Sequence, residues 1–349
     1  MIGMPVPTYD FKSAFNDRYS AITKKMLRVL SDNSRVSLSD LSKTLGVSRM
    51  TARSKLNRIE KELSLAYTVE LSESTLGIVG QHLIMVKFDS KPDYGHISKL
   101  LSQSHIPQLA VSVKGNYDLM IYAVSTSTKE YAHWDKSMQI LLSKYGVNWK
   151  SSEVVHKQLG FFPLRDVLLD RLNIPKDHLA MLKILHSNSR TSFRQISKDL
   201  GMHFNTVAYN FNKLLKKGYI KRFTITMGKP DFVSLMSFFS KYRPKEGYEA
   251  SSSQARKAFT SDDPNSLISR YLICAPLIGS YDFFTIGAFD DYNTAYQNDV
   301  MYHKTTFKDH GVNLVYGEID NILLGKLPIR SIDTKKEYNK IVWNTEDTV

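Results

Sequence analysis

A chain of 349 residues with 42% apolar content can bury several modest cores, and no apolar run nears the ~18 residues of a membrane-spanning helix. A single cysteine, Cys274, excludes an internal disulfide framework, the scattered histidines form no metal-ligand cluster, and residues 1–20 lack the apolar stretch of a secretion signal. The expectation is a cytoplasmic protein with no metal, cofactor or membrane partner. The net charge of +13 is confined: residues 21–67 carry 10 Lys/Arg against 4 Asp/Glu, residues 178–224 carry 9 against 1, and the other 255 residues hold 28 against 29. Solubility does not need that confinement, whereas binding a polyanion does.

The two basic windows open two copies of one long unit. Asn33-Ser34-Arg35 recurs as Asn188-Ser189-Arg190 and Leu45-Gly46 as Leu200-Gly201, both 155 residues on. Gly115-Asn116-Tyr117-Asp118 recurs as Gly279-Ser280-Tyr281-Asp282, and Gly160-Phe161-Phe162-Pro163-Leu164-Arg165 as Gly325-Lys326-Leu327-Pro328-Ile329-Arg330. A period this long marks a duplicated domain pair, since solenoid units run ~20–50 residues.

In the first copy, apolar residues at 22, 26, 27 and 30 predict a helix, and Leu38, Leu41 and Leu45 a second, opened by Ser37 and Asp40 in a capping box and ended by Gly46. Ser48 caps a third helix with a buried stripe of Ala52, Leu56, Ile59 and Leu63. Two short helices about a Gly turn, the second with a polar and basic outer face, make a helix-turn-helix unit. The candidate DNA-contacting residues are Ser48, Arg49, Met50, Thr51, Arg53, Ser54, Lys55, Asn57 and Arg58. The second copy repeats the plan with Phe193, Ile196 and Leu200, then Gly201, then Val207, Phe211 and Leu214 inward. Its outer face offers His203, Phe204, Asn205, Thr206, Tyr209, Asn212, Lys213 and Lys216. Arg49 and Arg53 suit guanine edges, Asn205 suits adenine, and Met50 and Phe204 suit thymine methyls. Lys55, Arg58, Lys213 and Lys216 suit phosphates, with Ser48, Thr51, His203 and Thr206 at the phosphate edge. The two faces differ in chemistry throughout, which implies two unlike half-sites.

After each helical unit the pattern changes. Residues 82–88, 108–114 and 119–125 read as strands, 94–102 as a helix, and Tyr131, Trp134, Met138, Leu141 and Leu142 as the stripe of a longer helix capped by Ser127 and Glu130. The order is the split βαββαβ of a ferredoxin-like domain. The second copy offers 232–240, 268–275, 282–289 and 312–323 as strands, with its extra residues at 243–266 as a mobile loop. The expected class is α+β, with two winged-type helix-turn-helix domains, each followed by a ferredoxin-like domain. The expected boundaries are an arm 1–20, helical domain 21–70, ferredoxin-like domain 71–165, linker 166–177, helical domain 178–228, ferredoxin-like domain 229–330 and tail 331–349. Among the motifs there is no nucleophile–base set, carboxylate pair or phosphate-cradling glycine loop, so no enzyme activity is expected.

Asn33, Arg35, Ser37, Leu41, Ser42, Lys43, Leu45, Gly46, Val47 and Ser48, followed by Gly115, Tyr117 and Asp118, resemble the Lrp/AsnC (feast–famine) transcription regulators. Asn188, Arg190, Ser192, Ile196, Ser197, Lys198, Leu200 and Gly201, then Gly279, Tyr281 and Asp282, repeat the resemblance. It implies a sequence-specific regulator of double-stranded DNA, an internal pseudo-dimer with scope for further homo-oligomers, and an amino-acid effector near Gly115, Tyr117, Asp118, Gly279, Tyr281 and Asp282. The chain departs from the pattern where Ile22 stands opposite Asp177 and where Leu63-Ser64 lacks the glycine present as Gly218. Two alternatives are an architectural, weakly specific DNA binder and an enzyme similar to the siroheme decarboxylases, whose Asn-His motif is missing from 72–81.

Overall fold

The computed structural model describes residues 19–155, 157, 160–231, 233–241, 271–289, 291–295 and 313–329. The first basic window folds as α1 (Ala21–Asp32), α2 (Leu38–Leu45) and α3 (Arg49–Glu62). Ser37 and Ser48 cap α2 and α3 by accepting the Asp40 and Thr51 backbone N–H groups, each at 3.1 Å. Gly46 ends α2 at φ 67°, in the left-handed region. Met26, Leu30, Leu41, Ala52 and Ile59 are buried, so the helical periodicity marks the inner faces.

Next come β1 (Ala66–Leu71), β2 (Gly80–Phe88), α4 (Tyr94–Ser102), β3 (Pro107–Gly115), β4 (Leu119–Ser125), α5 (Thr128–Leu142) and β5 (Val147–Val154). A short α6 (Asp166–Leu169) with buried Leu168 and Leu169 lies in the expected linker and leads into the second copy. That copy runs α7 (Lys176–Ser187), α8 (Phe193–Leu200), α9 (Phe204–Lys216), β6 (Ile220–Met227), β7 (Ser234–Lys241), β8 (Tyr271–Gly279) and β9 (Phe283–Phe289). It closes with α10 (Tyr292–Ala295), β10 (Asn313–Leu324) and β11 (Leu327–Pro328). The expected arm before residue 19, the loop at 243–266 and the tail 331–349 lie outside the described residues.

The β-rich parts differ from the expectation of two separate ferredoxin-like domains. The first copy does run β2-α4-β3-β4-α5-β5, with its strands ordered β5-β2-β4-β3. The second orders its strands β8-β9-β7-β10. The two sheets then join edge to edge into one closed eight-stranded barrel, through β3·β10 and β5·β8. Closure removes every free edge, which an isolated four-stranded sheet would leave at both ends. Alternation divides the residues: Leu83, Met85, Met120 and Tyr122 belong to the large core, while Ile84, Val86, Leu119 and Ile121 pack in the cluster that includes Ile97, Trp134 and Met138 of α4 and α5. Leu141, expected within the buried stripe of α5, is 47% exposed. With 15 residues at 3.6 per turn, α5 buries one face, and Leu142 takes the inward place at 1% exposure.

The helical units are joined in the same way. The strand after each third helix pairs with the other copy's, β1 antiparallel to β6, and β11 adds to the outer side of β6. Among the described residues the strand that follows each recognition helix is thus used between copies. The recurring Gly-x-x-Pro-x-x segment also crosses over. A Cβ on Gly160 would lie 2.1 Å from the Leu272 carbonyl oxygen, and one on Gly325 would lie 2.2 Å from that of Gln108. The close approach of backbones across copies admits only glycine. Phe162 stacks on Tyr122 at 3.9 Å between ring centres and lies 6.4 Å from Phe284, filling the large core with aromatic rings.

One buried ion pair ties the two layers together. Lys157 donates to Glu73, Lys221 on β6 donates to the other carboxylate oxygen at 3.0 Å, and the Lys157 and Glu73 side chains are only 10% and 7% exposed. Burial alone would push the Glu73 carboxyl up, but Lys157 and Lys221 outweigh it and hold its pKa below the ordinary value. The unfolded chain therefore binds more protons between the two values, and the stabilisation is lost as pH falls through the folded pKa. Replacing Glu73 by Gln strands Lys157 and should cost about 3 kcal/mol at pH 7. In urea denaturation from pH 7 down to pH 3, the gap between wild type and E73Q should narrow below about pH 4. A gap constant over that range would show that the charge on Glu73 is not what stabilises.

Ser64 carries the backbone strain that the missing glycine implies. Its φ is 46°, the only positive value at a non-glycine residue among the described ones, while Gly218 takes φ 71° at the matching turn of the second copy. The left-handed region costs an L-residue about 1–2 kcal/mol. Ser64→Gly should therefore raise stability by about 1 kcal/mol after its larger unfolded-state entropy is counted. The midpoint of chemical denaturation reads this directly.

Candidate nucleic-acid interface

The candidate reading heads are α3 and α9, each presented by its neighbouring helix. Ser48, Arg49, Met50, Thr51, Arg53, Ser54, Asn57 and Arg58 are exposed and Lys55 is half-buried. On α9 and its cap, His203, Phe204, Asn205, Thr206, Tyr209, Asn212, Lys213 and Lys216 are all exposed. Met50 at 84%, Tyr209 at 58% and Phe204 at 50% are large apolar groups held out in water, which a folded monomer gains nothing by exposing. The structure thus brings each sequence-derived set together on one helix face.

Local contacts divide these groups further. Ser48 and His203 are N-caps: the His203 Nδ1 accepts the Asn205 backbone N–H at 3.3 Å, which takes the cap's ring nitrogen out of other contacts. Arg58 is held by Glu62 at 2.7 Å, one helical turn on, so this cation is partly neutralised before any phosphate arrives. Lys213 lies over the Tyr209 ring at 4.4 Å, which fixes both side chains along the outer edge of α9. Arg49, Arg53, Lys55 and Lys216 have no carboxylate partner among the described residues, leaving their N–H donors available. Asn210, one turn from Thr206, is buried instead, its amide facing the Met202 sulfur at 3.9 Å.

What the motif reading missed is how the two heads are held. The Ser34 and Ser189 hydroxyls, both buried, meet at 2.6 Å. The Ser34 backbone N–H donates to Phe223 and that of Ser189 to Tyr67, at 3.0 and 3.2 Å. Thr68 Oγ1 donates to the His186 carbonyl at 2.7 Å, and Thr224 Oγ1 to that of Ser31 at 2.8 Å. These are paired interactions about a pseudo-twofold axis. The 155-residue repeat of Asn-Ser-Arg was the available signal, because residues that meet across such an axis must recur at that spacing.

The six Gly-x-Tyr-Asp residues are placed at the seams of the barrel. Tyr117 is fully buried and donates to Ser237 Oγ at 2.5 Å, with burial first among the causes that push its hydroxyl pKa up. Tyr281 is 3% exposed, and its backbone N–H reaches Ser152 Oγ at 3.1 Å. Asp118 accepts from Lys87 Nζ at 2.9 Å and from the Phe88 N–H at 2.8 Å, and Asp282 pairs with Lys241 at 2.7 Å. Gly115 abuts Tyr316 and Gly317 of β10, and Gly279 abuts Ser151 and Ser152 of β5. Gly115, Tyr117, Gly279 and Tyr281 thus contact the opposite copy, whereas Asp118 and Asp282 are paired within their own.

Among the described residues no group of His, Cys, Asp and Glu could hold a metal ion, and no helix is long and apolar enough to cross a membrane.

Comparison with known proteins matches residues 178–221 to a family described as winged helix-turn-helix DNA-binding. No curated protein matches the chain. Among solved structures, the siroheme decarboxylase NirDL superposes with a TM-score of 0.54 at 11% identity, covering 91% of this chain and 99% of its own. An AsnC family transcriptional regulator from Agrobacterium tumefaciens has 16% identity and a TM-score of 0.34, covering 40% of this chain and 91% of its own. The leucine response regulatory protein of Mycobacterium tuberculosis has 18% identity and a TM-score of 0.33, covering 40% and 93%. The first of these spans both copies and shows the fold, while the sequence match shows that the second basic window is similar to winged helix-turn-helix DNA-binding domains.

Proposed function

We propose that the chain is a sequence-specific, double-stranded DNA-binding transcription regulator of Lrp/AsnC type, with two unlike reading heads in one polypeptide. The observation that carries this reading is a coincidence: α3 and α9 hold out exposed apolar groups and unpaired cations, and they lie within the two helical units that carry the chain's entire excess of positive charge. Arg49, Met50 and Arg53 read one half-site; Phe204, Asn205 and Tyr209 read the other. Lys55, Lys213 and Lys216 hold phosphates and set register. Ser48, Thr51, Ser54, Asn57, Arg58, His203, Thr206 and Asn212 border these contacts.

An amino-acid effector, which the family resemblance implies near Gly115, Tyr117, Asp118, Gly279, Tyr281 and Asp282, would act on the seams where the copies join. Binding there changes the pairing of β3 with β10 or of β5 with β8, and so the placement of the heads.

The test is selection of duplexes from a random pool, followed by affinity measurements across salt. A selected site should lose about 1,000-fold or more in affinity between ~50 and ~200 mM salt if six or more phosphates are held. Arg53→Ala should cost about 1–3 kcal/mol at one base position and relax preference there, while Lys213→Ala weakens all sequences alike. Equal binding of random and selected duplexes would favour an architectural role. A tetrapyrrole absorbance band in the purified protein would favour the decarboxylase reading.

A further inference from the structure

The repeated Asn-Ser-Arg segments bring two guanidinium groups to one cleft on the pseudo-twofold axis. Arg35 reaches across with Nη1, donating to the carbonyl of Ser189 and, at 3.1 Å, to that of Thr191. Arg190 returns the contact from Nε to the Ser34 carbonyl at 2.6 Å. The Arg35 guanidinium lies 5.4–5.6 Å from the rings of Phe193, Phe211 and Phe223, and that of Arg190 lies 4.0 Å from the Tyr67 ring. With Val36 the two arginines line a cleft of about 200 Å³.

Neither guanidinium has a carboxylate partner among the described residues, and both are half-buried. Each group carries five N–H donors in a planar fork. Carbonyls engage Nη1 of Arg35 and Nε of Arg190, and the remaining donors of both groups have no protein acceptor among the described residues. Two like charges fixed at one cleft and partly withdrawn from water repel each other unless an anion is shared between them. Burial also lowers the Arg35 pKa, as a cation without a counter-ion requires. Aromatic faces hold the guanidinium planes, which suits bidentate capture of a planar or tetrahedral oxyanion.

We propose that the Arg35–Arg190 cleft binds a small oxyanion, the phosphate or carboxylate group of a free ligand. The anion cross-links the first turn of one helical unit to that of the other, and so stiffens the placement of α3 relative to α9. The lining residues are none of those on the reading faces or in the Gly-x-Tyr-Asp turns, and Phe193, on which Arg35 packs, lies 6.2 Å from Phe204 of α9. Its effect on DNA rests on the regulator reading above, whereas anion binding itself does not.

The experiment titrates the full chain, without DNA, with inorganic phosphate and with acetate against chloride at matched ionic strength. Calorimetry and thermal unfolding are the readouts. Phosphate or acetate should give a saturable heat and a saturable rise in melting temperature. Arg190→Gln should weaken that affinity at least tenfold while unfolding normally in chloride. Arg35→Lys should weaken it too and, by keeping a cation among the three Phe rings, avoids the risk of unfolding that Arg35→Ala carries. The double variant R53A/K213A should respond as wild type does, which separates the cleft from adventitious phosphate on the reading heads. A response that follows ionic strength alone, or one unchanged in R190Q, overturns the proposal. So does an inert phosphate titration in which R190Q instead lowers DNA affinity and reduces the salt slope by about one, because the anion would then be the DNA backbone.

Discussion

Neither copy of this chain can satisfy its own edges, and the rest of the structure follows from that. The first copy ends its sheet at β3 and β5, the second at β8 and β10, and β1 and β6 each lack a partner within their own helical unit. Every one of these edges is met by the other copy. Six unpaired edges would leave rows of backbone N–H and C=O groups open to water or to other chains. Mutual pairing resolves all of them at once and leaves the two halves inseparable without breaking sheet hydrogen bonds. The landmarks repeated in the sequence sit where that pairing is made: Ser34 on Ser189, Gly115 beside β10, Gly279 beside β5, and Gly160 and Gly325 against the opposite copy's strands.

Against this shared frame, the two copies have diverged wherever pairing does not constrain them. Lys157 lies three residues before Gly160, and the same distance before Gly325 stands Ile322. The buried cation of the first copy thus has an apolar counterpart, and Glu73 has no second version of its ion pair. The outer faces of α3 and α9 differ in the same way, because solvent-facing positions carry no packing requirement. Ser64 marks the cost of such a difference. It takes the left-handed turn that Gly218 adopts freely, so the same turn geometry is held in the first copy by a residue less suited to it.

Much of this was legible in the sequence for physical reasons that can be named. The capping serines Ser37 and Ser48 marked the starts of α2 and α3, and the left-handed Gly46 and Gly201 the ends of α2 and α8, because cap chemistry is local. The exposed sets on α3 and α9 followed from helical periodicity alone. Barrel closure was not legible: β3 and β10 alternate in the same way whether they pair with each other or with nothing, and period-two patterning does not name a partner. Arg35 and Arg190 were visible as a repeated motif, but their convergence depends on the pseudo-twofold axis that only the fold supplies. Lys157 and Glu73 were invisible because they lie 84 residues apart, outside helices and strands.

A whole-chain likeness to a decarboxylase and a domain match to DNA-binding proteins pull toward different activities, and fold cannot separate them. Charge and exposure favour the regulator reading proposed above, since exposed Met50, Phe204 and Tyr209 and an excess charge confined to the helical units suit contact with a polyanion. The way the units are joined adds a mechanical argument. Heads on a flexible linker search a volume set by linker length, and their second contact is correspondingly diluted. Here a β1·β6 ladder and a buried serine pair set the separation before DNA arrives. On the proposed regulator reading, two short helices, each weak alone, then act as one reading surface, and the half-site spacing they accept is decided by protein geometry. That rigidity is also what makes the axis between them an effective place for control, since a small change there moves both heads together.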